Sequence, residues 1–385
     1  MRNASHISFD HRYPSVEDLR AAARRHIPAF AFDYLDGGCN EGVNLARNRS
    51  DLQQVQLKPA YLRPYAGCSL QTELFGQKYA APFGIAPIGL QGLIWPGAPE
   101  ILARAAREEG LPFVLSTVGT ASLERIAEVS GGTAWFQFYH PADARVRDDL
   151  LRRAEAAGYQ VLVLLCDTPT FGFRPGEIRS GLSMPPRMNF SNFAQMLGRP
   201  RWLLKTLQTG TPRFANLLPY MPEGLDLAGL GRFMDGFFQK RQTPDKIAFV
   251  RDRWKGKLVL KGVSTPEDAE TAYRLGLDGI VVSNHGGRQL DAGPSSMAAL
   301  QQIVPQYASK MTVMIDSGLR SGPDIARCLA SGAAFTFLGR PFMYGVGALG
   351  DRGGSHVAGL LKTQLRQVME QVGCERVSRL PEHLL

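Results

Sequence analysis

A histidine and an arginine stand three residues apart in the stretch 283–291, Ser-Asn-His-Gly-Gly-Arg-Gln-Leu-Asp. The stretch directly follows an apolar, β-branched run at 279–282, which predicts a buried strand. The imidazole of His285 can take up a proton near neutral pH, and the guanidinium of Arg288 can hold a carboxylate through two hydrogen bonds. The two glycines allow a sharp turn and a close approach to a ligand. This pattern indicates a base and an anion clamp for a substrate with an ionised acid beside a removable proton. The alternative is a structural loop with a surface histidine and arginine.

Eight short apolar runs recur along the chain, and helical stretches rich in Ala, Leu, Arg and Glu separate most of them. Eight strands alternating with helices predict a (β/α)8 TIM barrel whose site lies at the C-terminal ends of the strands. An open doubly wound sheet is the alternative, but no GxGxxG motif follows the first run. The runs span residues 83–86, 113–115, 135–138, 161–165, 258–260, 279–282, 313–315 and 335–338, and the helical stretches include 100–109, 147–157, 266–275 and 323–330.

The N-terminal region and one long interval differ from this pattern. Ser15 before two acids predicts a helix over 15–26, and a second short helix ends at Gly37 and Gly38. We expect one barrel domain over 1–385 with an insertion at about 171–256, after strand four.

Within this insertion, the segment 178–222 contains no Asp or Glu, whereas aromatic and aliphatic residues alternate with cations. Such a composition favours docking on an anionic membrane face, with Trp202, Leu203 and Leu204 in the headgroup boundary. A lid or an oligomer contact is the alternative. The six cations are Arg179, Arg187, Arg199, Arg201, Lys205 and Arg213.

Polar residues or glycines follow seven of the eight apolar runs. Each alone could be a capping or surface residue, but the C-terminal ends of barrel strands meet at one mouth, so we expect these residues to converge. In the loops after strands seven and eight, glycine N–H groups and arginines predict a phosphate site, with helix caps or tight turns as the alternative. The residues are Ser116, Gln137, Tyr139, Asp167, Lys261, Ser283, His285, Arg288, Asp316, Ser317, Gly318, Arg320, Gly339 and Arg340.

The composition limits the classes of function. The 385 residues are 44% hydrophobic and 21% charged, which argues against global disorder. A net charge of +9 suits anionic partners, although no nucleic-acid-binding module is recognisable. The five cysteines lack the spacing of metal ligands, and no run approaches the length of a membrane span. We therefore expect a cytoplasmic protein without a metal site, either soluble or peripheral on the inner face of the cell membrane.

From about residue 13 onward the chain resembles the FMN-dependent L-2-hydroxy acid oxidase/dehydrogenase family, and within it the mandelate and lactate dehydrogenases. The motif at 283–291 carries most of the resemblance. The stretches Phe-Asp-Tyr at 32–34, Trp-Phe-Gln-Phe-Tyr at 135–139 and Lys-Gly at 261–262 follow in the expected order. Ala-Pro-Ile-Gly-Leu at 86–90 with Trp-Pro at 95–96 is closest to the mandelate dehydrogenase pattern. The resemblance implies a barrel with FMN across its mouth.

The resemblance also implies residue roles. His285, Asp167, Tyr139 and Lys261 would be catalytic, with His285 as the base, Asp167 holding it and Lys261 near flavin N1. The expected substrate contacts are Tyr34, Tyr139, Arg174, His285 and Arg288. The expected cofactor contacts are Pro87, Ile88, Gly89, Ser116, Gln137, Lys261, Ser283, Asp316, Ser317, Gly318, Arg320, Gly339 and Arg340.

Four residues depart from the family pattern. Leu165 replaces a threonine, Pro175 and Gly176 interrupt a charged run after Arg174, and Val118 replaces the tryptophan of glycolate oxidase. The expected activity is oxidation of a mandelate- or lactate-like L-2-hydroxy acid by a dehydrogenase that reduces a quinone. An oxidase that forms hydrogen peroxide and a catalytically impaired flavin-binding barrel are the alternatives. The resemblance further implies a homo-oligomer, in particular a tetramer.

Overall fold

The computed structural model describes residues 10–182, 190–225, 227–238 and 241–385. Two short antiparallel strands precede eight parallel ones in the described chain. The strands are β1 (Thr72–Leu74), β2 (Gln77–Tyr79), β3 (Phe83–Ile85), β4 (Val114–Ser116), β5 (Trp135–Phe138), β6 (Val161–Leu165), β7 (Lys257–Val263), β8 (Gly279–Val282), β9 (Thr312–Ile315) and β10 (Phe335–Leu338).

The eight parallel strands form one sheet in the order β3-β10-β9-β8-β7-β6-β5-β4. Its two edges meet where Ile85 bridges Phe113 in parallel, with the Ile85 amide 2.9 Å from the Pro112 carbonyl oxygen. The (β/α)8 barrel is thereby confirmed and the open doubly wound sheet is wrong. Each predicted apolar run supplies one barrel strand because the strands are buried on both faces.

Helices surround the barrel, and those predicted from the sequence lie within three residues of their expected ends. Ser15 caps the first helix by accepting a hydrogen bond from the Asp18 amide at 3.2 Å. The helices are α1 (Val16–His26), α2 (Ala29–Asp36), α3 (Val43–Gln54), α4 (Gln91–Ile94), α5 (Ala98–Glu109), α6 (Leu123–Ser130), α7 (Ala144–Ala156), α8 (Pro175–Ser180), α9 (Phe190–Leu197), α10 (Pro200–Thr209), α11 (Leu227–Phe237), α12 (Pro244–Arg253), α13 (Pro266–Arg274), α14 (Ser296–Tyr307), α15 (Gly322–Ala330), α16 (Arg340–Leu349) and α17 (Gly353–Val372), with short 3-10 turns at Leu218–Tyr220, Gly350–Arg352 and Val377–His383.

The β1–β2 hairpin packs against the N-terminal end of the barrel, and the sequence pattern did not predict it. Tyr79 packs on Phe335, with ring centroids 5.7 Å apart, and its hydroxyl accepts a hydrogen bond from the Trp135 indole at 3.3 Å. Both partners are the first residues of their strands. With this end filled by aromatic side chains, the C-terminal end remains as the place for a ligand.

The interval between β6 and β7 contains five described helices, α8 to α12. Trp202 of α10 is only 3% exposed; its indole donates to the Leu93 and Ile94 carbonyls at 3.2 and 3.1 Å and packs edge-on against Phe30. The expectation that Trp202 enters a membrane headgroup layer is therefore wrong, because this side chain anchors α10 to the barrel. Arg187 lies outside the described residues. No helix in the described ranges is long and apolar enough to cross a bilayer.

Candidate functional site

A cavity of about 180 Å³ lies at the C-terminal ends of the barrel strands, as expected. Most of the residues singled out in the sequence line it. Ser116, Gln137, Asp167 and Ser283 are not among its lining residues, although each bonds to a neighbouring polar group. The lining residues are Tyr34, Pro87, Ile88, Gly89, Tyr139, Arg174, Lys261, His285, Arg288, Asp316, Ser317, Gly318, Arg320, Gly339 and Arg340.

His285 and Asp167 form a directly bonded pair. The histidine Nδ1 lies 3.1 Å from both carboxylate oxygens of Asp167. Since an ionised carboxylate only accepts hydrogen bonds, Nδ1 carries the proton and Nε2 is left as the basic nitrogen. His285 has a left-handed backbone with φ 59°, which a non-glycine residue rarely adopts outside functional sites. The loop thus positions a neutral imidazole with one free lone pair.

The surroundings set the protonation states of this pair. Burial lowers the pKa of His285 below its ordinary value, although the Asp167 charge opposes that change. Burial alone would raise the pKa of Asp167, but the charges of His285 and Lys261 and the His285 hydrogen bond hold it below its usual range. At neutral pH the pair is therefore a carboxylate and a neutral imidazole that can accept a proton.

Gly262 makes room for Asp167. Its φ is 101°, and a Cβ there would lie 2.5 Å from the Asp167 Cβ and 2.6 Å from its Cγ. Any larger residue would push the carboxylate out from beneath the imidazole.

Lys261 supplies a fixed cation. Its Nζ lies 3.1 Å from an Asp316 carboxylate oxygen and donates to the Ser283 hydroxyl at 3.0 Å. Burial would lower the pKa of Lys261, but the charges of Asp316 and Asp167 raise it above the ordinary lysine value. The ammonium therefore stays charged in a nearly closed environment.

Arg288 and Arg174 both contact one carboxylate that the sequence reading did not assign to the site. The Glu177 Oε1 lies 2.6 Å from the Arg288 Nη2 and 3.4 Å from the Arg174 Nη1. The Arg288 guanidinium also donates to the Tyr34 carbonyl at 2.6 Å and lies over the Tyr34 ring. Glu177 follows Arg174 by three residues, a helical spacing that brings two side chains together, so this spacing could have revealed it. Pro175 begins α8, and Arg174 still lines the cavity.

Gln289 links the loops after β6 and β8. Its amide nitrogen donates to the carbonyls of Asp167 and Thr170 at 2.8 and 2.9 Å, and its oxygen accepts from Arg174 at 3.3 Å. The residue type alone does not indicate this role, because its partners are backbone groups distant in sequence.

The opposite end of the cavity combines two buried arginines with glycine-rich backbone. Arg340 donates to the carbonyls of Leu35, Gly286 and Gly37, and neither Arg340 nor Arg320 forms an ion pair with a carboxylate of the described chain. Burial, with the neighbouring Arg320 charge, lowers the pKa of Arg340 to about 9. Two buried cations without an acid suit a phosphate.

Near the strand ends, the Gln137 Nε2 is buried and has no hydrogen-bond partner among the described residues. A heterocycle rich in acceptors would satisfy this donor. The donor set as a whole therefore fits a phosphorylated heterocycle such as FMN.

Comparisons with known proteins agree with this geometry. A profile of the family described as FMN-dependent dehydrogenase matches residues 23–385. The L-lactate dehydrogenase of Caulobacter sp. (strain K31) is 38% identical over 372 residues, which are 96% of this chain and 98% of that protein. That of Pectobacterium atrosepticum is 37% identical over 362 residues, or 94% of each chain.

Two solved structures are similar over nearly the whole chain. The monotopic membrane protein (S)-mandelate dehydrogenase has 34% identity and a TM-score of 0.91, covering 97% of this chain and 100% of that one. A mandelate oxidase has 33% identity and a TM-score of 0.82, covering 96% of this chain and 97% of that one.

We expect Gly262→Ala to slow substrate-dependent flavin reduction at least tenfold, because the added methyl displaces Asp167. Gly67→Ala is the matched control: the φ of Gly67, 99°, nearly equals that of Gly262, but nothing lies within 4 Å of its Cβ position. Both variants therefore carry a similar backbone strain, roughly 1–3 kcal/mol. Stopped-flow reduction rates that fall equally in the two variants would show that the space for Asp167 is unimportant.

We also expect flavin reduction to rise with pH as His285 loses its proton and to level off above pH ~6.5, because the folded pKa of His285 is lowered. Asp167→Asn removes the charge that raises this pKa, so the acid limb should move to lower pH. The plateau rate should also fall roughly 10²-fold or more, since the imidazolium formed on proton uptake loses its partner. If the acid limb of Asp167→Asn moved to higher pH instead, the assignment of His285 as the base held by Asp167 would be contradicted.

Proposed function

The chain belongs to the FMN-dependent dehydrogenase family and is an oxidoreductase that uses FMN, and we propose that it oxidises an L-2-hydroxy acid to the 2-oxo acid in the cavity beside His285. The observation that supports this most directly is the His285–Asp167 pair, whose histidine lines one cavity together with Arg174 and Arg288. The two features together suit a substrate that is both an anion and a proton donor.

The substrate carboxylate would bind Arg288 and Arg174. Because Glu177 now contacts both guanidiniums, the incoming carboxylate must share or replace that contact. The guanidinium of Arg288 lies over the ring of Tyr34. This contact keeps its planar pair of N–H donors oriented toward the cavity. Binding a carboxylate here fixes the Cα next to the imidazole.

Two protons and two electrons leave the substrate in this oxidation. The Nε2 of His285 accepts one proton, and Asp167 stabilises the resulting imidazolium. Burial and the Asp167 charge raise the pKa of Tyr139, so its hydroxyl stays protonated and can donate a hydrogen bond to the substrate oxygen. The Tyr139 ring is held by Phe238, with centroids 4.8 Å apart.

Bound FMN would supply the acceptor for the two electrons and for the second proton. The residues that would hold it are Arg320 and Arg340 at the phosphate and Gln137 at the ring system. Lys261 would provide a fixed positive charge near the ring, where negative charge develops. These four side chains are buried and held in place by the surrounding structure, so they need little reorganisation when the cofactor binds.

We further propose a quinone as the electron acceptor and an anionic bilayer as the docking partner. The α9–α10 face consists of exposed apolar side chains at helical spacing: Phe190, Phe193 and Leu197 on α9, and Leu204 and Leu207 on α10, each more than half exposed. The exposed cations Arg201 and Arg213 lie in the same segment. The similarity to a monotopic membrane dehydrogenase supports this proposal. An oxidase remains the competing function, supported by the similarity to mandelate oxidase.

The proposed activity predicts that anaerobic addition of an L-2-hydroxy acid bleaches the bound flavin. His285→Ala should keep the flavin but lower the reduction rate by ~10²–10⁴-fold. His11→Ala, at an exposed position, is the control and should reduce at the normal rate. Near-normal reduction by His285→Ala would remove the histidine from this role. Faster reoxidation by a soluble quinone than by air would support a dehydrogenase, and the reverse would support an oxidase.

The membrane proposal predicts that the protein co-sediments with anionic phospholipid vesicles and is released as salt rises. Changing Phe193, Leu197 and Leu207 together to Ser should lower the partition coefficient at least ~10²-fold, since each buried apolar side chain contributes ~1.5–3 kcal/mol. Leu62→Ser is the control, because Leu62 is fully exposed outside this face. Equal partitioning of the triple variant and the parent would refute the docking face.

A further inference from the structure

A second cavity, of about 680 Å³, adjoins the one beside His285. We call it the side chamber. Five residues line both cavities: Tyr34, Val118, Tyr139, Phe171 and Arg174. The side chamber therefore borders the place where the substrate's hydroxyl and carboxylate would bind.

The side chamber is largely apolar and is roofed by the insertion. Met234 of α11 and Phe214 are buried in its wall. Its charged residues beyond the shared ones are Glu177, which contacts Arg288, and the exposed Arg232 and Asp235. The other large apolar lining residues are Leu90, Phe173, Ile178, Leu182 and Phe238. Such a surface favours a hydrocarbon group over a polar one.

The residues that the two cavities share form the boundary between them, which we call the passage. Gly89 of the first cavity packs closely on Val118 of this boundary, since a Cβ on Gly89 would lie 2.7 Å from the Val118 Cγ2 and 3.5 Å from the Tyr34 hydroxyl oxygen. Valine at 118 takes up less of the boundary than a tryptophan would.

The geometry of the first cavity directs one substituent of the substrate into this passage. With its carboxylate at Arg288 and Arg174, as proposed above, the substrate would have its Cα and hydroxyl at His285 and Tyr139. The unshared part of the first cavity is lined by charged groups such as Lys261 and Arg320, which an apolar substituent would desolvate at a cost. The remaining direction for an apolar substituent leads past Val118 into the side chamber.

The size of the side chamber excludes a small substituent as its natural occupant. An apolar cavity of ~150 Å³ is enough to hold benzene. Neither the methyl group of lactate nor the phenyl ring of mandelate would fill a space of about 680 Å³.

We propose that the substrate is an L-2-hydroxy acid with an extended apolar substituent, either a medium-length alkyl chain or an arylalkyl group, and that the side chamber binds this substituent. The inference rests on the proposed function and narrows its substrate class.

The test is anaerobic flavin reduction by a series of L-2-hydroxy acids: lactate, 2-hydroxyhexanoate, 2-hydroxyoctanoate, mandelate and 3-phenyllactate. The ratio of reduction rate constant to Kd should rise about fourfold per buried methylene, so that 2-hydroxyoctanoate exceeds lactate by at least ~10²-fold. We call the value for 2-hydroxyoctanoate divided by that for lactate the chain-length preference. Met234→Trp, which fills the side chamber, should lower the chain-length preference at least tenfold. Val118→Trp, which narrows the passage, should do the same. Tyr273→Trp is the control, because it adds an indole at an exposed position on α13 and should leave the chain-length preference unchanged.

The outcomes separate this inference from the proposed function. Reduction by lactate with no gain along the series would overturn the inference and leave the proposed function standing. If Met234→Trp left the chain-length preference unchanged but slowed reoxidation of the flavin by a soluble quinone, the side chamber would be assigned to the electron acceptor. This outcome would also overturn the inference. No reduction by any acid of the series would overturn both. Flavin content and circular dichroism matching the parent show that each variant is folded.

Discussion

The contact between His285 and Asp167 is the interaction on which the site depends. A buried carboxylate is costly unless its charge is matched, and here the imidazole and Lys261 lower the pKa of Asp167. Keeping this pair in place requires several unusual features: a left-handed His285, an absent side chain at Gly262 and an amide at Gln289 that bonds the backbone of Asp167. All three features serve the position of one nitrogen, the Nε2 of His285.

Charge imbalance explains why the rest of the mouth suits anions. Lys261 is balanced by Asp316, and Arg288 and Arg174 share Glu177. Arg320 and Arg340 have no such partner in the described chain, and burial lowers the pKa of both. A phosphate at one end and a substrate carboxylate at the other would complete the balance. The folded protein thus holds positive charge ready for both groups before either one binds.

The insertion between β6 and β7 adds two apolar surfaces to the barrel, one facing outward and one facing the site. Trp202 anchors α10 to the barrel, which leaves Leu204 and Leu207 on the outside. On the inside, Met234 and Phe214 wall the side chamber above the site. One segment therefore has both an outward apolar face, proposed to bind a membrane, and an inward apolar cavity, proposed to bind the substrate's substituent.

The sequence by itself determined the eight-stranded barrel and most of the candidate site. Barrel strands buried on both faces must be apolar, and their C-terminal ends must meet, so residues such as Lys261 and His285 could be assigned to one mouth without coordinates. Tertiary structure alone decided the features that depend on distant partners. The β1–β2 hairpin has strands of only three residues, too short to give a periodic signal. Trp202 reads as a membrane anchor in an acid-free segment, and only its contacts with α4 and Phe30 show that it is buried. The side chamber likewise arises because α8 and α11, over fifty residues apart along the chain, line one space above the barrel, and no local pattern encodes the volume between them.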